Sequence, residues 1–428
     1  MSYKTLKGMD DISFPDIYHW QYVETKAGEF FGRRLYEEIR TPIVEYTDLF
    51  QRSIGEASDI VNKEMYTFLD RGGRSLTLRP EMTASVIRAV INNNLLAQRE
   101  PLKLFYSGPM FRAERPQAGR KRQFFFFFFE VVGNPDPFCD AEVIRDLVTF
   151  LEYLGLQKND LTLRLNNVGC NDCRPGYLES LRGFFQGQIS DMCKNCRFKF
   201  AKNVLRIFDC KNPACRAVAA QAPKVTDHVC QECRTHFDAL VGFLDLFDIE
   251  YTVDKNIVRG LDYYTSTVFE VTSRKLGAQD ALAAGGRYNN LLKELGGPDK
   301  GAIGFAIGIE RLLICLADIL RDYKTGILEK SVYIAYGDSS YISSAQELIA
   351  RFEKSGLPSY ADYDSRSLKS QLKRANKYGF RWVLILNKDE FERGDVTLKD
   401  LHAKDDGQRR IPVSRAEERV AELIKEKE

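Results

Sequence analysis

Apolar residues at Ile17, Trp20, Val23, Ala27, Phe30, Phe31 and Leu35 recur every three or four positions, so the spacing predicts an amphipathic helix from Asp16 to Arg40. Thr41-Pro42 should end it, because the residue before a proline is pushed out of helical geometry. Short apolar runs then predict strands at 43–46, 66–69 and 76–78, the last two joined by Asp70-Arg71-Gly72-Gly73. Arg79-Pro80-Glu81-Met82-Thr83 opens a helix running to about Leu96, with proline in the first turn, where no amide donor is needed. Glu81 and Thr83 stand at this strand-to-helix junction, where they either cap the helix or face a cleft.

Residues 103–112 and 123–133 read as an antiparallel hairpin with a long loop, followed by a helix over 141–156 and a strand over 161–166. Further on come a helix over 235–246, a strand over 267–272 and two glycine-rich strands near 283–288 and 301–308. The second runs into an apolar helix ending near Leu320. Antiparallel strands interleaved with long helices indicate an α+β layer fold, not a doubly wound sheet. A polar linker over 323–330 precedes a βαβαβ alternation from Val332 to Leu386, which predicts a small mixed or parallel sheet covered by helices. Lys369, Lys373, Arg374 and Lys377 share its second helix, a mildly basic face or simply a solvated one.

Apolar residues make up 44% and charged residues 29% of 428, the balance of an ordinary globular chain of two or three domains. The net charge of +2 means that a nucleic acid would have to be met by local basic patches. No apolar run reaches membrane-spanning length and the polar start lacks a signal or transit pattern, so no membrane and a cytoplasmic location are expected.

The candidate chemistry centres on the long hairpin loop. Arg112, Arg115, Arg120 and Arg122 crowd around Gln117-Ala118-Gly119, and guanidinium forks suit phosphate oxygens. Glu130 follows six consecutive phenylalanines, where a buried carboxylate needs a cationic or hydrogen-bonding partner. Arg311 falls in the first turn of the helix after the second glycine-rich strand, a place that favours an anion.

Eight of the ten cysteines lie between Cys170 and Cys233, as Cys170/Cys173, Cys193/Cys196, Cys210/Cys215 and Cys230/Cys233. Without an export signal, such short spacings favour metal over disulfides. Two four-cysteine zinc sites would use all eight. One pairing joins 170/173 with 210/215 and 193/196 with 230/233; other pairings stay open, as does a reduced thiol cluster without metal. A small segment poor in apolar residues would gain folding energy from metal. Lys194, Arg197, Lys199, Lys202 and Arg206 lie among these cysteines, while Cys139 and Cys315 sit in apolar helical settings as core residues.

Four patches, TLRPEMT, FRAERPQAGRKRQF, VRGLDYYTSTVFE and GFAIGIERL, occur in an order and at separations that closely resemble histidyl-tRNA synthetases, a class II family. The likeness covers nearly the whole chain, from Lys7-Gly8-Met9-Asp10-Asp11 onwards. It implies a class II catalytic domain over 1–168 and 248–325, an antiparallel sheet flanked by helices. A cysteine-rich insertion over 169–247 and an α/β anticodon-binding domain over 331–428 complete the expected organisation.

The implied activity is ATP-dependent ligation of histidine to the 3′ end of tRNA(His) through a histidyl-adenylate, with ATP and Mg²⁺ as cofactors and a homodimer as the assembly. By position, Arg112 resembles the arginine on the ATP α-phosphate, Arg311 that on the γ-phosphate, and Glu114 a neighbour of the adenine. Glu81, Met82, Thr83, Phe126, Glu130, Tyr263 and Tyr264 would line the histidine pocket, and Arg259 would serve both the pocket and the catalytic charge at the α-phosphate. The variable insertion is expected against the tRNA acceptor arm.

The departure is the run Phe124 to Phe129. Positions 125, 126, 128 and 129 are phenylalanine where the family has histidine, glutamine, glycine and a small residue. A phenyl ring cannot replace the substrate-facing amide at 126. A ring at 128 costs about 1–3 kcal/mol in a filled core. Three accounts compete: a divergent enzyme, an altered block of sequence, and a paralogue that has lost aminoacylation. The alternative function is therefore a non-catalytic relative that regulates histidine biosynthesis.

Overall fold

The two strands that bracket the arginine loop become neighbouring inner strands of a large sheet in the computed structural model. The structure describes residues 3–55, 58–117, 119–210, 212–255, 257, 261, 263–277, 280–321, 323, 328, 330–362, 367–403 and 407–426. The chain divides into two units, Met1–Arg321 and Asp322–Glu428.

Strands of the first unit, in chain order, are β1 Glu37–Glu38, β2 Val44–Tyr46, β3 Tyr66–Leu69, β4 Ser75–Leu78, β5 Leu102–Phe111, β6 Gln123–Val132, β7 Leu161–Asn167, β8 Thr252–Val253, β9 Thr265–Ser273, β10 Ala281–Arg287 and β11 Ala302–Gly308. Eight of them form one sheet in the order β1-β5-β6-β11-β10-β9-β7-β8, and β2-β4-β3 make a separate small one. The interior of the large sheet is antiparallel, whereas its two margins, β1 on β5 and β8 on β7, pair in parallel.

The phenylalanine run makes sense on β6, because side chains of a strand alternate between faces. Phe125, Phe127 and Phe129 point to one face. There Phe125 meets Trp20 edge-on at 5.0 Å and Phe129 stacks on Phe31 at 3.6 Å, so the helices Asp16–Gly32 and Pro137–Tyr153 cover this side. Phe124, Phe126, Phe128 and Glu130 point to the other face, over a core of Val86, Val90, Leu104, Tyr106 and Tyr288. Period-two alternation thus gives one strand two apolar faces, with a single carboxylate at the end of one.

Several elements depart from the sequence expectations. The first helix stops at Gly32, not Arg40, because Leu35 takes a left-handed φ of +63° that turns the chain back to place Glu37–Glu38 on the sheet edge. Apolar periodicity carries no sign of that reversal. The helix opened by Thr83 ends at Asn92, and a short turn, Leu95–Gln98, follows Asn94 at φ +48°. Between Cys170 and Cys233 the helices Arg174–Gln186, Lys194–Lys202 and Pro213–Ala220 enclose a core in which Leu181, Phe185 and Ile207 are wholly buried. The segment is therefore richer in apolar packing than its polar sequence implied.

In the second unit, β12 Val332–Tyr336, β13 Ser359–Ala361, β14 Trp382–Leu386, β15 Asp395–Asp400 and β16 Gln408–Pro412 form a sheet in the order β13-β12-β14-β15-β16. The first three are parallel and the last two antiparallel, which makes the sheet mixed. Helices Ile342–Lys354 and Ala416–Lys425 cover the face of Val332, Ile334 and Tyr336; Leu368–Tyr378 covers that of Tyr333 and Ala335. Arg374 on that helix donates to the buried Asp362 at 2.5 Å, which ties it to the sheet.

Candidate active site and cysteine clusters

A cleft of about 380 Å³ opens over the β6-β11-β10 side of the large sheet. Its lining joins the arginine loop to the pocket end: Arg112, Glu114 and Arg311 on one side, Glu81 and Tyr263 on the other, with Phe124, Phe126 and Phe128 between. Arg112 is fixed by Nε donating to the Pro80 carbonyl at 2.9 Å, and its guanidinium lies 5.3 Å from the Phe124 ring centre. Arg311 donates to the carbonyls of Gly119 at 3.3 Å and Ala281 at 2.5 Å, so the loop, β10 and the Ile309–Cys315 helix meet at one cation. Burial, and then Arg120 nearby, lower its pKa from the ordinary value. Glu114 accepts from Arg120 at 3.0 Å.

Glu130 is 2% exposed and sits in the core next to Phe128, outside the cleft lining. Its Oε1 accepts from Thr83 Oγ1 at 2.9 Å and from Tyr106 OH at 3.2 Å, and its Oε2 accepts from Tyr288 OH. Burial pushes its carboxyl up to about 7, against the pull of those three hydroxyls. Gly304 stands opposite on β11, where a Cβ would lie 1.7 Å from Glu130 Oε2, so only glycine leaves the carboxylate its place.

Glu81 accepts from the amides of Thr83 at 2.8 Å and Ala84 at 3.0 Å, which caps the helix while one side of the residue lines the cleft. The two roles weighed for it from sequence are thus compatible. Met82 is 1% exposed and packs in the core beside Tyr106 and Val86. Phe126 and Phe128 line the cleft, and the Phe128 ring stacks on Tyr106 at 5.1 Å. Tyr263 and Tyr264 have ring centres 4.8 Å apart, and Tyr263 lies 5.6 Å from Tyr288. Arg259 lies outside the described residues.

Sequence reasoning missed Tyr288 and the buried ion pair beside it. Arg287 and Asp140 are both fully buried and paired, and Asp140 Oδ2 also meets His236 Nε2 at 2.9 Å and accepts from Thr267 at 2.7 Å. Although burial opposes it, Arg287 and His236 hold the Asp140 carboxyl below the usual carboxylate range. The two partners stand far apart in sequence, so no local pattern linked them.

The cysteines form two quartets, Cys170/Cys173/Cys230/Cys233 and Cys193/Cys196/Cys210/Cys215, each with sulfurs within 4.8 Å of one another. This corrects the pairing of 170/173 with 210/215: the first and last pairs come together because they stand where the insertion leaves and rejoins the sheet. All eight are free thiols. Tetrahedral zinc with Zn–S bonds of about 2.3 Å sets sulfurs roughly 3.8 Å apart. The observed separations of 3.5, 4.0 and 3.8 Å in the first quartet and 3.8 Å in the second fit that geometry. Backbone amides also donate to sulfur, Cys230 to Cys173 at 3.0 Å and Cys193 to Cys215 at 3.3 Å.

Comparison with known families places residues 8–172 and 187–312 in the family described as histidyl-tRNA synthetase, and residues 331–423 in the anticodon-binding domain family. The histidine–tRNA ligase of Pelotomaculum thermopropionicum is 44% identical over 400 residues, covering 93% of each chain. That of Halothermothrix orenii is 45% identical over 402 residues, covering 94% of this chain and 95% of the relative. Among solved structures, the apo histidyl-tRNA synthetase of S. aureus superposes with a TM-score of 0.82 at 33% identity, covering 98% of this chain and 100% of that one. A Bacillus halodurans protein described as an ATP phosphoribosyltransferase regulatory subunit/histidyl-tRNA synthetase shares the fold alone, with a TM-score of 0.63 at 21% identity over 90% of this chain and 98% of that one.

Proposed function

We infer, from the premise that this chain belongs to the histidyl-tRNA synthetase family, that it is a histidine–tRNA ligase: it activates histidine with ATP and passes the histidyl group to the 3′ end of tRNA(His). The observation that carries this reading in the molecule is one cleft with pinned arginines on one side and Glu81 and Tyr263 on the other, next to which the buried Glu130 carboxylate is held by three hydroxyls.

The chemistry follows from that polarity. A histidine carboxylate oxygen attacks the α-phosphorus of ATP, the bond to the bridging oxygen breaks, and pyrophosphate leaves with the electron pair. Negative charge grows on the phosphoryl oxygens, so cations already fixed in place lower the barrier most. In this reading Arg112 holds the α-phosphate, Arg311 the γ-phosphate and Glu114 the adenine side, and Arg259 adds charge at the α-phosphate. Glu81 and Thr83 take the α-amino side, Met82 backs them from the core, and Glu130 with Tyr263 and Tyr264 takes the imidazole. A carboxylate that titrates near neutrality suits a ring that does so too. Mg²⁺, when bound, would supply countercharge for the polyphosphate, and Glu270 and Glu310, which line the cleft, would hold it, Glu310 being oriented by the Phe125 amide at 3.2 Å.

The assembly we propose has residues 1–168 and 248–325 as the catalytic domain, 169–247 as the insertion and 331–428 as the anticodon-binding domain. The chain works as a cytoplasmic homodimer, and each cysteine quartet holds a structural Zn²⁺. Among the described residues no helix is long and apolar enough to cross a membrane.

Histidine-dependent ATP–pyrophosphate exchange tests the activity: exchange with histidine alone among the amino acids supports it. No exchange in this chain, nor after His, Gln, Gly and Val are placed at 125, 126, 128 and 129, sinks it and favours the regulatory relative.

A further inference from the structure

We propose that the quartet Cys170/Cys173/Cys230/Cys233 is a zinc clip that fixes the backbone turn carrying Tyr263 and Tyr264, whereas the outer quartet closes the insertion only on itself. The proposal rests on the zinc reading above and goes beyond it by giving the two sites different tasks.

The inner quartet sits at the crossing point of three segments. Cys170 and Cys173 follow β7 directly, and Cys230 and Cys233 open the Gln231–Leu246 helix that brings the chain back to the sheet. The start of β9 runs alongside them. Val168 donates its amide to the Ser266 carbonyl at 2.8 Å, and the Ser266 amide donates to the Gly169 carbonyl at 2.9 Å. Asn167 Nδ2 donates to the Cys233 carbonyl at 2.8 Å, and Cys233 Sγ lies 4.0 Å from Ser266 Oγ. Arg174, one residue past Cys173, donates to the Tyr264 carbonyl.

This contact falls on an irregular stretch of backbone. Ser266 takes a left-handed φ of +51°, a conformation that side-chain-bearing residues adopt reluctantly. Beside it the pairing of β10 with β9 jumps, from Gly286 opposite Val268 to Arg287 opposite Thr265. That is a bulge, a feature that re-aims neighbouring side chains and persists only where surroundings hold it. The residues immediately before it are Tyr263 and Tyr264, which line the cleft. Gly169 completes the fit: at φ +71°, a Cβ there would lie 2.8 Å from the Cys173 Cβ. Metal ligation of four sulfurs locks the two ends of the insertion together, and so holds the turn that presents the tyrosines. Among the described residues, the core around the outer quartet lies within the insertion. Its sulfurs are enclosed by Phe185, Val204 and Ile207, all within the insertion.

Metal analysis and hydrogen–deuterium exchange of the full chain test this without requiring turnover. The wild-type protein should carry about two zinc ions, and the variants C170S/C173S and C193S/C196S about one each. Amides of residues 263–269 should exchange at least about tenfold faster in C170S/C173S and remain within about twofold of wild type in C193S/C196S. Should C170S/C173S fail to fold, zinc is stripped from C193S/C196S with a chelator; exchange at 263–269 should then rise, and fall again when Zn²⁺ alone is restored. Equal loosening by both variants, or unchanged protection in zinc-free protein, overturns the clip and leaves the zinc reading standing. A chain that neither contains nor takes up zinc overturns both. Neither result bears on the ligase assignment, which histidine-dependent exchange of pyrophosphate decides.

Discussion

Phe126 and Phe128 stand on the cleft face of β6 between the arginines and Glu130, where their rings occupy space that a polar substrate has to share. Replacing them with the family's smaller and polar residues, as Phe126→Gln with Phe128→Gly, should raise kcat/KM for histidine in pyrophosphate exchange at least about tenfold, chiefly through KM. An unchanged or lower value would show that the rings are part of the working pocket. Glu130 gives a second test. Its folded carboxyl titrates at about 7, whereas an unfolded glutamate titrates near 4.3, so between those values the folded chain keeps a proton that the unfolded chain has released. Its contribution to stability is full below about pH 4 and is lost as the pH rises through 7, by roughly 4 kcal/mol. Melting curves from pH 5 to 8 should therefore show Glu130→Gln gaining on wild type as the pH rises; a constant difference would refute the assignment. Glu130 was legible in the sequence as a carboxylate in need of partners, and Thr83 as a candidate beside it. Tyr288 was not, since only the pairing of β10 with β11 brings it across the sheet.

Elements were legible where local chemistry sets them. The hairpin β5–β6 and the turn between β3 and β4 follow from alternation and glycine, and the observed strands match them within a residue or two. The end of the first helix was hidden because the left-handed turn at Leu35 is held by tertiary pairing of β1 with β5, which no local propensity encodes. The quartets were hidden for the same reason: spacing names the pairs, and only the topology says which pairs meet. Arg287 and Asp140 fasten β10 to the Pro137–Tyr153 helix, and Thr267 and His236 bring β9 and the Gln231–Leu246 helix to the same carboxylate. Removing one partner of a buried pair typically costs about 3–5 kcal/mol. Asp140→Ala should lower the denaturation midpoint accordingly, and Asp140→Leu with Arg287→Met should recover part of the loss. A single-variant cost under about 1 kcal/mol would mean that water reaches the pair.

At the scale of the whole molecule, the small β2-β4-β3 sheet leaves apolar groups facing solvent. Tyr46 and Phe68 both lie opposite Leu76 on β4, and with Val44 on the same face they are exposed. A patch of this kind calls for a covering partner, and the proposed homodimer supplies one. Tyr46→Asp with Phe68→Asp should convert a dimer to a monomer in analytical ultracentrifugation, while a wild-type protein that sediments as a monomer would remove the dimer from the proposal.

The pairing of β6 with β11 also has a consequence for the chain's birth. During synthesis β6 emerges with its hairpin partner β5, but its other edge stays open until β11 is made, after the whole insertion and β7 to β10. Six consecutive phenylalanines therefore wait on an unpaired strand edge, a template for wrong pairing with another nascent chain. The yield of native protein should be set by how long the ribosome takes to reach Gly308, and by what shelters that edge in the meantime.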